Sequence, residues 1–466
     1  MELRPFHLLV GLLAPAAVRA AGLNVDLTSA SSIKAACQLV AANLMTYYHG
    51  DEVGQTPGIL PGPPPAGDYY WWEGGALWGT MVDYWHYTAD STYNNVTEAA
   101  LIFQANDPSD NYMPPNWTAS LGNDDQGFWA MSAMLAAEVN FQNPPPEDPQ
   151  WLTLAQAVFN TQAARWDTQY CNGGLRWQIP LSNNGYDYKN SIANAILFNL
   201  AARLARYTNN ATYAHWADEA FNWTQSVGLI DQNWNIYDGA HVEYNCTDIN
   251  RAQFSYTAAI FIQGMAFMSN YTNGAPIWQS RMTSLVQRTF EVFFPHGILV
   301  EVACELANNV QCTTDMLSFK GYVHRFLADA AQVAPFMHDT IMATLKTSAK
   351  GAITSCQDDG TCGFRWSTGI YDGNTGAGQQ MNALGAMMSM LIDLEGVPGP
   401  VTNATGGTSI GNPAAGGNPD VALTELPPVT GGDRAGAGFL TALVLAFGLS
   451  TFYWMGSSFN EHSTSF

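Results

Sequence analysis

Two adjacent carboxylates, Asp124 and Asp125, lie in Gly122-Asn123-Asp124-Asp125-Gln126-Gly127-Phe128-Trp129, just before a stretch that reads as a helix from Gln126 through Ala137. Acidic side chains at a helix entrance cap free backbone N–H groups and are favoured by the positive end of the helix. One carboxylate can thereby stay charged while its neighbour, facing a like charge and aromatic rings, keeps its proton. A charged and a protonated carboxyl side by side can open an acetal. One attacks or stabilises the anomeric carbon, and the other protonates the departing oxygen. Neighbouring Asp side chains place their carboxyls about 5–6 Å apart, the spacing of a retaining reaction. The competing reading of the same residues is a helix cap beside a solvated charge.

The surroundings favour chemistry on sugars. Asp68-Tyr69-Tyr70-Trp71-Trp72-Glu73-Gly74-Gly75 sets four aromatic rings between two carboxylates in a segment that reads as a loop. Sugar rings stack their C–H faces on Tyr and Trp, and their hydroxyls bond to Asp and Glu. Asp68, Tyr70, Trp71, Trp72 and Glu73 are therefore candidate substrate-binding residues, with Asn123 and Gln126 flanking the acidic pair. Tyr186-Asp187-Tyr188-Lys189-Asn190-Ser191 opens another helix, and Asn194 lies one turn beyond Asn190 on the same face, so both could bind hydroxyls. Asp238-Gly239 with His241 and Glu243, and Asp372-Gly373, read as loop turns. Lys320 and Arg325 read as structural ion-pair partners in a chain poor in cations.

These groups need a scaffold. Helical apolar spacing or helix-forming composition covers 30–48, 75–88, 126–140, 151–166, 189–207, 212–226, 252–270, 276–294, 319–330, 335–350 and 377–393. A punctuation motif recurs between them: His86-Tyr87-Thr88-Ala89-Asp90, Arg206-Tyr207-Thr208-Asn209-Asn210 and Asn270-Tyr271-Thr272-Asn273-Gly274. Each closes one helix before the next opens. A second repeat pairs Gly174-Leu175-Arg176-Trp177 with Gly363-Phe364-Arg365-Trp366. Helical hairpins repeating about every 60 residues predict an all-α toroid whose inner helices meet at a funnel; an irregular helical solenoid is the alternative.

Composition narrows the partners. Seventeen basic against 39 acidic residues give a formal net charge of -22, which leaves nothing to neutralise a nucleic acid backbone. The same scarcity of cations speaks against a helical-toroid lyase acting on an acidic polymer. Residues 1–21 read as a signal peptide, with Arg4, an apolar run from Leu8 to Val18, and Ala20 and Ala21 for cleavage. Seven glycosylation sequons follow, at Asn95, Asn116, Asn210, Asn222, Asn245, Asn270 and Asn403. Cys304 with Cys312 and Cys356 with Cys362 could form local disulfides, Cys171 with Cys246 a longer one, and Cys37 is left as a buried thiol. No Cys-x-x-Cys or His-rich spacing suggests zinc. Residues 22–395 form the expected catalytic domain and 396–433 a flexible Gly/Pro/Thr linker. Residues 434–466 read as a hydrophobic glycosylphosphatidylinositol (GPI) signal or membrane anchor. A polar tail from Ser457 departs from the usual GPI pattern and keeps a membrane-spanning helix open.

The chain resembles glycoside hydrolase family 76, the endo-α-1,6-mannanases, and more closely its fungal GPI-anchored branch of cell-wall biogenesis. The resemblance covers about residues 22–400. It rests on Tyr70-Trp71-Trp72-Glu73-Gly74-Gly75, Asn123-Asp124-Asp125-Gln126, Gly174-Leu175-Arg176-Trp177 and Tyr188-Lys189-Asn190-Ser191, the second being the specific element. It implies an (α/α)6 barrel, no cofactor or metal, Asp124 as nucleophile and Asp125 as general acid/base of a retaining mechanism. It further implies action on α-mannan or the mannose core of GPI glycans. A β-glucan acceptor can then replace water in the second step. A non-catalytic mannan-binding wall protein using the Trp71/Trp72 platform is the alternative.

Overall fold

The computed structural model describes residues 22–105, 110–117, 121–306, 311–416 and 431–460. The expected signal peptide lies outside them. Twelve helices pair as hairpins: α1 (Ala30–Met45), α2 (Trp71–Thr88), α3 (Asn94–Ala105), α4 (Asn123–Glu138), α5 (Trp151–Ala164), α6 (Ser191–Thr208), α7 (Ala211–Ser226), α8 (Ser255–Tyr271), α9 (Pro276–Phe293), α10 (Phe319–Val333), α11 (His338–Thr354) and α12 (Ala377–Met388). Each even-numbered helix packs on the next, and α12 returns to α2, so six helices close an inner ring with the odd-numbered helices outside. This is the expected (α/α)6 barrel. A two-stranded antiparallel sheet, β1 (Tyr188–Asn190) with β2 (Gly239–His241), rises from the rim.

Sequence separates the two layers. Almost every residue of the inner helices is buried, whereas α9 buries only six of its positions, along one stripe. Inner helices close the ring by meeting through small residues. A Cβ on Gly264 would stand 2.4 Å from the ring of Phe198, and one on Gly321 2.7 Å from the Met381 carbonyl oxygen. The recurring Tyr-Thr motif ends α2, α6 and α8. Thr88, Thr208 and Thr272 each donate to the carbonyl four residues earlier, and a left-handed residue follows at Ala89, Asn209 or Asn273.

The lower half of the ring holds a belt of polar braces. Arg325 Nε donates to Asp83 Oδ2 at 2.5 Å, Arg203 Nε to Glu138 Oε2 at 2.9 Å, and Asn199 Nδ2 to Gln263 Oε1 at 2.9 Å. At the other end, in the first turn of α10, Lys320 Nζ meets Glu305 at 2.6 Å. Lys320 and Arg325 are thus the structural partners expected. Disulfides join Cys171–Cys246, Cys304–Cys312 and Cys356–Cys362, and Cys37 is a buried free thiol.

Three features differ from the sequence reading. The helix α3 was not expected; its run Asn94-Asn95-Val96-Thr97 has weak helix propensity, and packing against α2 supplies the stability. The helices α2 and α4 begin three to four residues earlier than their apolar spacing indicated, which carries Trp71–Glu73 and the Asp pair into first helical turns. The third difference concerns the linker. After a short helix, α13 (Ile392–Glu395), residues 397–416 are bound to the barrel rather than free. Val401 N donates to Glu138 O at 2.7 Å, Asn403 N to Tyr207 O at 3.1 Å, Arg206 Nη2 to Pro400 O at 2.8 Å, and Asn160 Nδ2 to Ala415 O at 2.8 Å. Gly and Pro allow this strap to follow the surface without secondary structure of its own, which is why its composition resembles a linker. The compact unit that contains the barrel ends at Gly417. In the second unit, helix α14 spans Gly431–Asn460. Among the described residues no helix is long and apolar enough to cross a membrane.

Because the strap contributes several backbone hydrogen bonds, each worth ~1 kcal/mol net, it stabilises the barrel. A chain ending at residue 396 should unfold at least about 5 °C below one ending at residue 417. Differential scanning calorimetry of the two truncations checks this, and equal midpoints would restore the linker reading.

Candidate active site

All six inner helices start at one rim. Trp72 of α2 packs on Phe128 of α4 with ring centroids 4.6 Å apart, Phe128 faces Tyr256 of α8 at 6.1 Å, and Tyr256 stacks on Phe319 of α10 at 3.8 Å. Asn190 caps α6 beside Asp124, and Ala377 N at the start of α12 donates to Tyr69 OH at 2.8 Å. The mouth of the ring is thus an aromatic funnel into which helix N-termini converge, a setting that favours negative charge.

Asp124 and Asp125 occupy the first turn of α4, half-buried at this mouth. Asp124 Oδ1 accepts from the Asp125 backbone N–H at 3.0 Å, and its Oδ2 accepts from Asn190 Nδ2 at 3.2 Å. Asp125 Oδ2 accepts from Gly122 N at 2.7 Å. Gly122 makes room for both. A Cβ there would lie 2.2 Å from Asp124 Oδ1 and 3.0 Å from Asp125 Oδ2.

Their environments push the two groups apart. Burial raises the Asp124 carboxyl to about 7, opposed by its bonds from Asp125 N–H and Asn190. Burial also raises Asp125 well above the ordinary carboxylate range; the charge of Asp124 adds to the rise, and only Gly122 N–H opposes it. The first proton therefore leaves Asp124, and Asp125 keeps its own.

The loop beneath the pair is pinned. Asn123 N donates to Trp177 O at 2.8 Å and Asn123 Nδ2 to Arg176 O at 2.9 Å. Asn194 Oδ1 accepts from Leu175 N at 2.8 Å, and its Nδ2 donates to Asn190 O at 2.8 Å. Fully buried Lys189 donates to the carbonyls of Asp167, Tyr170 and Gly173 at 2.9, 2.7 and 2.6 Å, one residue from the Asn190 that holds Asp124. Cys171–Cys246 closes the same loop.

Several expected sugar contacts are structural instead. Trp71 is buried against Trp129, and its Nε1 donates to Gln104 at 2.8 Å. Glu73 is fully buried and caps α2 by accepting from Tyr70 N at 2.8 Å. Gln126 is buried, donates to Asn111 O at 2.7 Å and accepts from Arg165. The Asn194 amide is occupied by backbone, as above, and that of Asn123 by Arg176 O and the Arg165 side chain. Segments that read as loops or exposed caps lie in helix turns packed from both sides, and this accounts for each of these shifts. Asn190 touches Asp124 and Trp72 lies on the funnel floor, whereas Tyr70 and Asp68 stay exposed. Asp238 and Asp372 brace loops, accepting from Tyr188 OH at 2.7 Å and from Arg365 N at 3.0 Å.

Three funnel residues escaped the sequence reading. Tyr256 and Asp315 lie on segments without a motif and reach the site only through ring closure. Asp315 accepts from Trp72 Nε1 at 2.9 Å. Trp177 belongs to a recognised repeat, yet only the fold shows its ring exposed over Gly185, where φ is +91° and a Cβ would come within 2.3 Å of the ring. Among the described residues, no group of three or more His, Cys, Asp or Glu could hold a metal ion.

Comparison with known proteins agrees with this geometry. The family model described as glycosyl hydrolase family 76 matches residues 32–404. Mannan endo-1,6-alpha-mannosidase DCW1 of Saccharomyces cerevisiae is 44% identical over 430 residues, covering 91% of this chain and 92% of that protein. Mannan endo-1,6-alpha-mannosidase DFG5 of the same organism is 39% identical, covering 93% and 94%. The crystal structure of Dfg5 from Chaetomium thermophilum in complex with glucosamine superposes with a TM-score of 0.80 at 50% identity, covering 84% of this chain and 97% of that one. An inactive variant of the α-1,6-mannanase GH76A of Salegentibacter sp. HEL1_6, bound to α-1,6-mannotetrose, shares the fold at a TM-score of 0.60 and 14% identity, covering 77% and 99%.

Gly122→Ala should drive both carboxylates from their places. Turnover should fall ~100-fold or more, because misplacing reacting groups by about 1 Å costs that much, while circular dichroism stays native. Retained turnover would show that the Asp pair is not the reacting centre.

Proposed function

This chain belongs to glycosyl hydrolase family 76, and on that premise we propose that it is an endo-acting, retaining α-1,6-mannosidase of the fungal cell wall, with Asp124 as nucleophile and Asp125 as general acid and base. The observation that carries this reading is the half-buried Asp pair at the start of α4, ordered by unlike hydrogen-bond sets. Both carboxyls lie within 3.0 Å of one point above Gly122. Their nearest oxygens are therefore no more than about 6 Å apart, which suits retention (~5–5.5 Å) better than the ~6.5–9.5 Å of inverting pairs.

In the first step an Asp124 oxygen bonds to the anomeric carbon as the C–O bond to the leaving sugar breaks. The Asp125 proton goes to that departing oxygen. In the second step Asp125 takes a proton from an incoming hydroxyl, whose oxygen bonds to the anomeric carbon and frees the Asp124 carboxylate. Water as the incoming group gives hydrolysis; a glucan hydroxyl gives transfer. The aromatic floor of Trp72, Phe128 and Tyr256 shields the cationic character that develops between these steps.

The substrate reading extends to the mannose core of GPI glycans. Its support is the fungal relatives' names, together with the glucosamine bound by the Chaetomium thermophilum protein. A β-glucan acceptor, secretion through residues 1–21 and attachment through residues 434–466 complete the reading, with glycans at Asn95, Asn116, Asn210, Asn222, Asn245, Asn270 and Asn403. The non-catalytic alternative needed an exposed Trp71/Trp72 platform. Both rings are buried.

Purified protein incubated with α-1,6-mannan oligosaccharides should release shorter oligosaccharides. Asp124→Asn and Asp125→Asn should each lose at least about 1,000-fold in kcat/KM. The acid limb of the pH profile should lie above the ordinary carboxylate range near 4, because activity needs Asp124 ionised and burial opposes that. The alkaline limb should report loss of the Asp125 proton. Equal products from wild type and both variants would sink the mechanism.

A further inference from the structure

A third acidic side chain faces the pair across the funnel. Asp315 sits on the turn that leads into α10, half-buried, with Oδ1 receiving the Trp72 Nε1 hydrogen bond at 2.9 Å. The ring that makes this bond packs on Phe128, which stands one helical turn below Asp124 on the same side of α4. Asp315 and the dyad are thus linked through two packed aromatic side chains and lie close enough to interact through their charges. Its second oxygen receives no side-chain hydrogen bond among the described residues.

The charges around this cleft are one-sided. Glu73 of α2 lies behind Trp72, Asp124 and Asp125 face from α4, and Tyr256 of α8 and Tyr322 of α10 bring hydroxyls; Asp68 precedes α2. Gln379 of α12 and Asn374 of the loop before it are neutral and bond to each other at 2.7 Å. The nearest cation on α10, Lys320, is buried and paired with Glu305 at 2.6 Å. No Lys or Arg among the described residues bonds to Asp124, Asp125 or Asp315.

We propose that Asp315 is a positioning residue of the reaction, its charge across the funnel holding the proton on Asp125 until the leaving oxygen takes it. This rests on the dyad assignment above. The negative field of Asp315 opposes ionisation of both dyad members. Burial raises Asp315 itself, but the Trp72 bond counters that, and it shares no direct contact with another carboxylate. The Trp72 bond thus favours the charged form of Asp315, and a charged Asp315 in turn disfavours loss of the Asp125 proton, which is what the mechanism needs. The same charge would stabilise positive character at the anomeric carbon in the transition state.

The test is the pH dependence of kcat/KM on an α-1,6-mannan oligosaccharide for wild type, Asp315→Asn, Asp315→Glu and Trp72→Phe. Removing the charge without changing shape, as Asp315→Asn does, should move both limbs of the bell down by about 0.5–1 pH unit. At a fixed neutral pH, kcat should fall more than tenfold with KM changed less. Asp315→Glu should restore the limbs. Trp72→Phe deletes the hydrogen bond but keeps the charge, so its limbs should not move down. If Asp315→Asn lowers activity with unshifted limbs, or Trp72→Phe moves the limbs down equally, Asp315 is only a structural acceptor and the proposal falls. Activity surviving in Asp125→Asn would instead overturn the dyad assignment, so the two failures are distinguishable.

Discussion

Two carboxyl groups on consecutive residues, held at the first turn of one helix and half removed from water, cannot both be charged. At about 5 Å and an effective dielectric of ~20, their repulsion is roughly 3 kcal/mol, more than two pH units. In the proposed reaction, that constraint lets identical side chains serve as acid and base. It works only if the two are told apart, and the difference lies in their donors. Asp124 receives a backbone N–H and the Asn190 amide, while Asp125 receives Gly122 N–H alone. Asn190 therefore matters more than its modest 3.2 Å bond suggests. Lys189, Asn194 and the Cys171–Cys246 bridge serve mainly to keep Asn190 and the 171–177 loop where that asymmetry survives.

The ring supplies rigidity by two different means at its two ends. Near the mouth it relies mainly on aromatic packing. In the lower half it uses Asp83–Arg325 and Glu138–Arg203. Buried ion pairs add little net stability over apolar packing, since desolvation offsets most of the attraction. Their value here is positional. Asp83 on α2 reaches Arg325 on α10, two inner helices away around the ring, so the pair sets the register of helices that are not neighbours. Breaking either partner leaves an uncompensated charge, which makes a slipped ring costly.

The architecture was legible from sequence because hairpin punctuation repeats: three Tyr-Thr turns end three inner helices with the same Thr-to-carbonyl bond. Asp124 and Asp125 stood out as candidates because the aromatic and acidic segment 68–75 added weight to a pair that alone reads equally as a helix cap. The binding residues were less so. Trp71, Glu73, Gln126 and Asn194 have the right types for sugar contacts, but one-dimensional spacing does not tell a helix's first turn from the loop before it. A shift of four residues turned an aromatic platform into core. Asp315 and Tyr256 carried no local signal at all. Their place at the funnel arises from ring closure, which brings segments far apart in the chain to one mouth. The strap was misread for a related reason: Gly, Pro and Asn mark the absence of regular structure, and a segment can lack it while fully bound.

The distribution of cations closes the argument about substrate. This chain has only 17 basic residues, and those near the site serve structure. Lys189 holds three carbonyls, Arg165 holds Asn123 and Gln126, Arg176 lies between Tyr170 and Tyr186, and Lys320 and Arg325 pair with acids. The funnel keeps Asp124, Asp125, Asp315 and a buried Glu73 without a counter-ion among the described residues. A uronate or phosphate polymer entering it would meet the negative charge of Asp124 and Asp315, with no desolvated cation to offset it. A neutral mannan meets none, and an ammonium-bearing sugar would be attracted. The unbalanced charge thus acts as a filter before any bond is broken. The same imbalance favours the transient positive carbon that the reaction must pass through, so selectivity and catalysis draw on one electrostatic feature of the funnel.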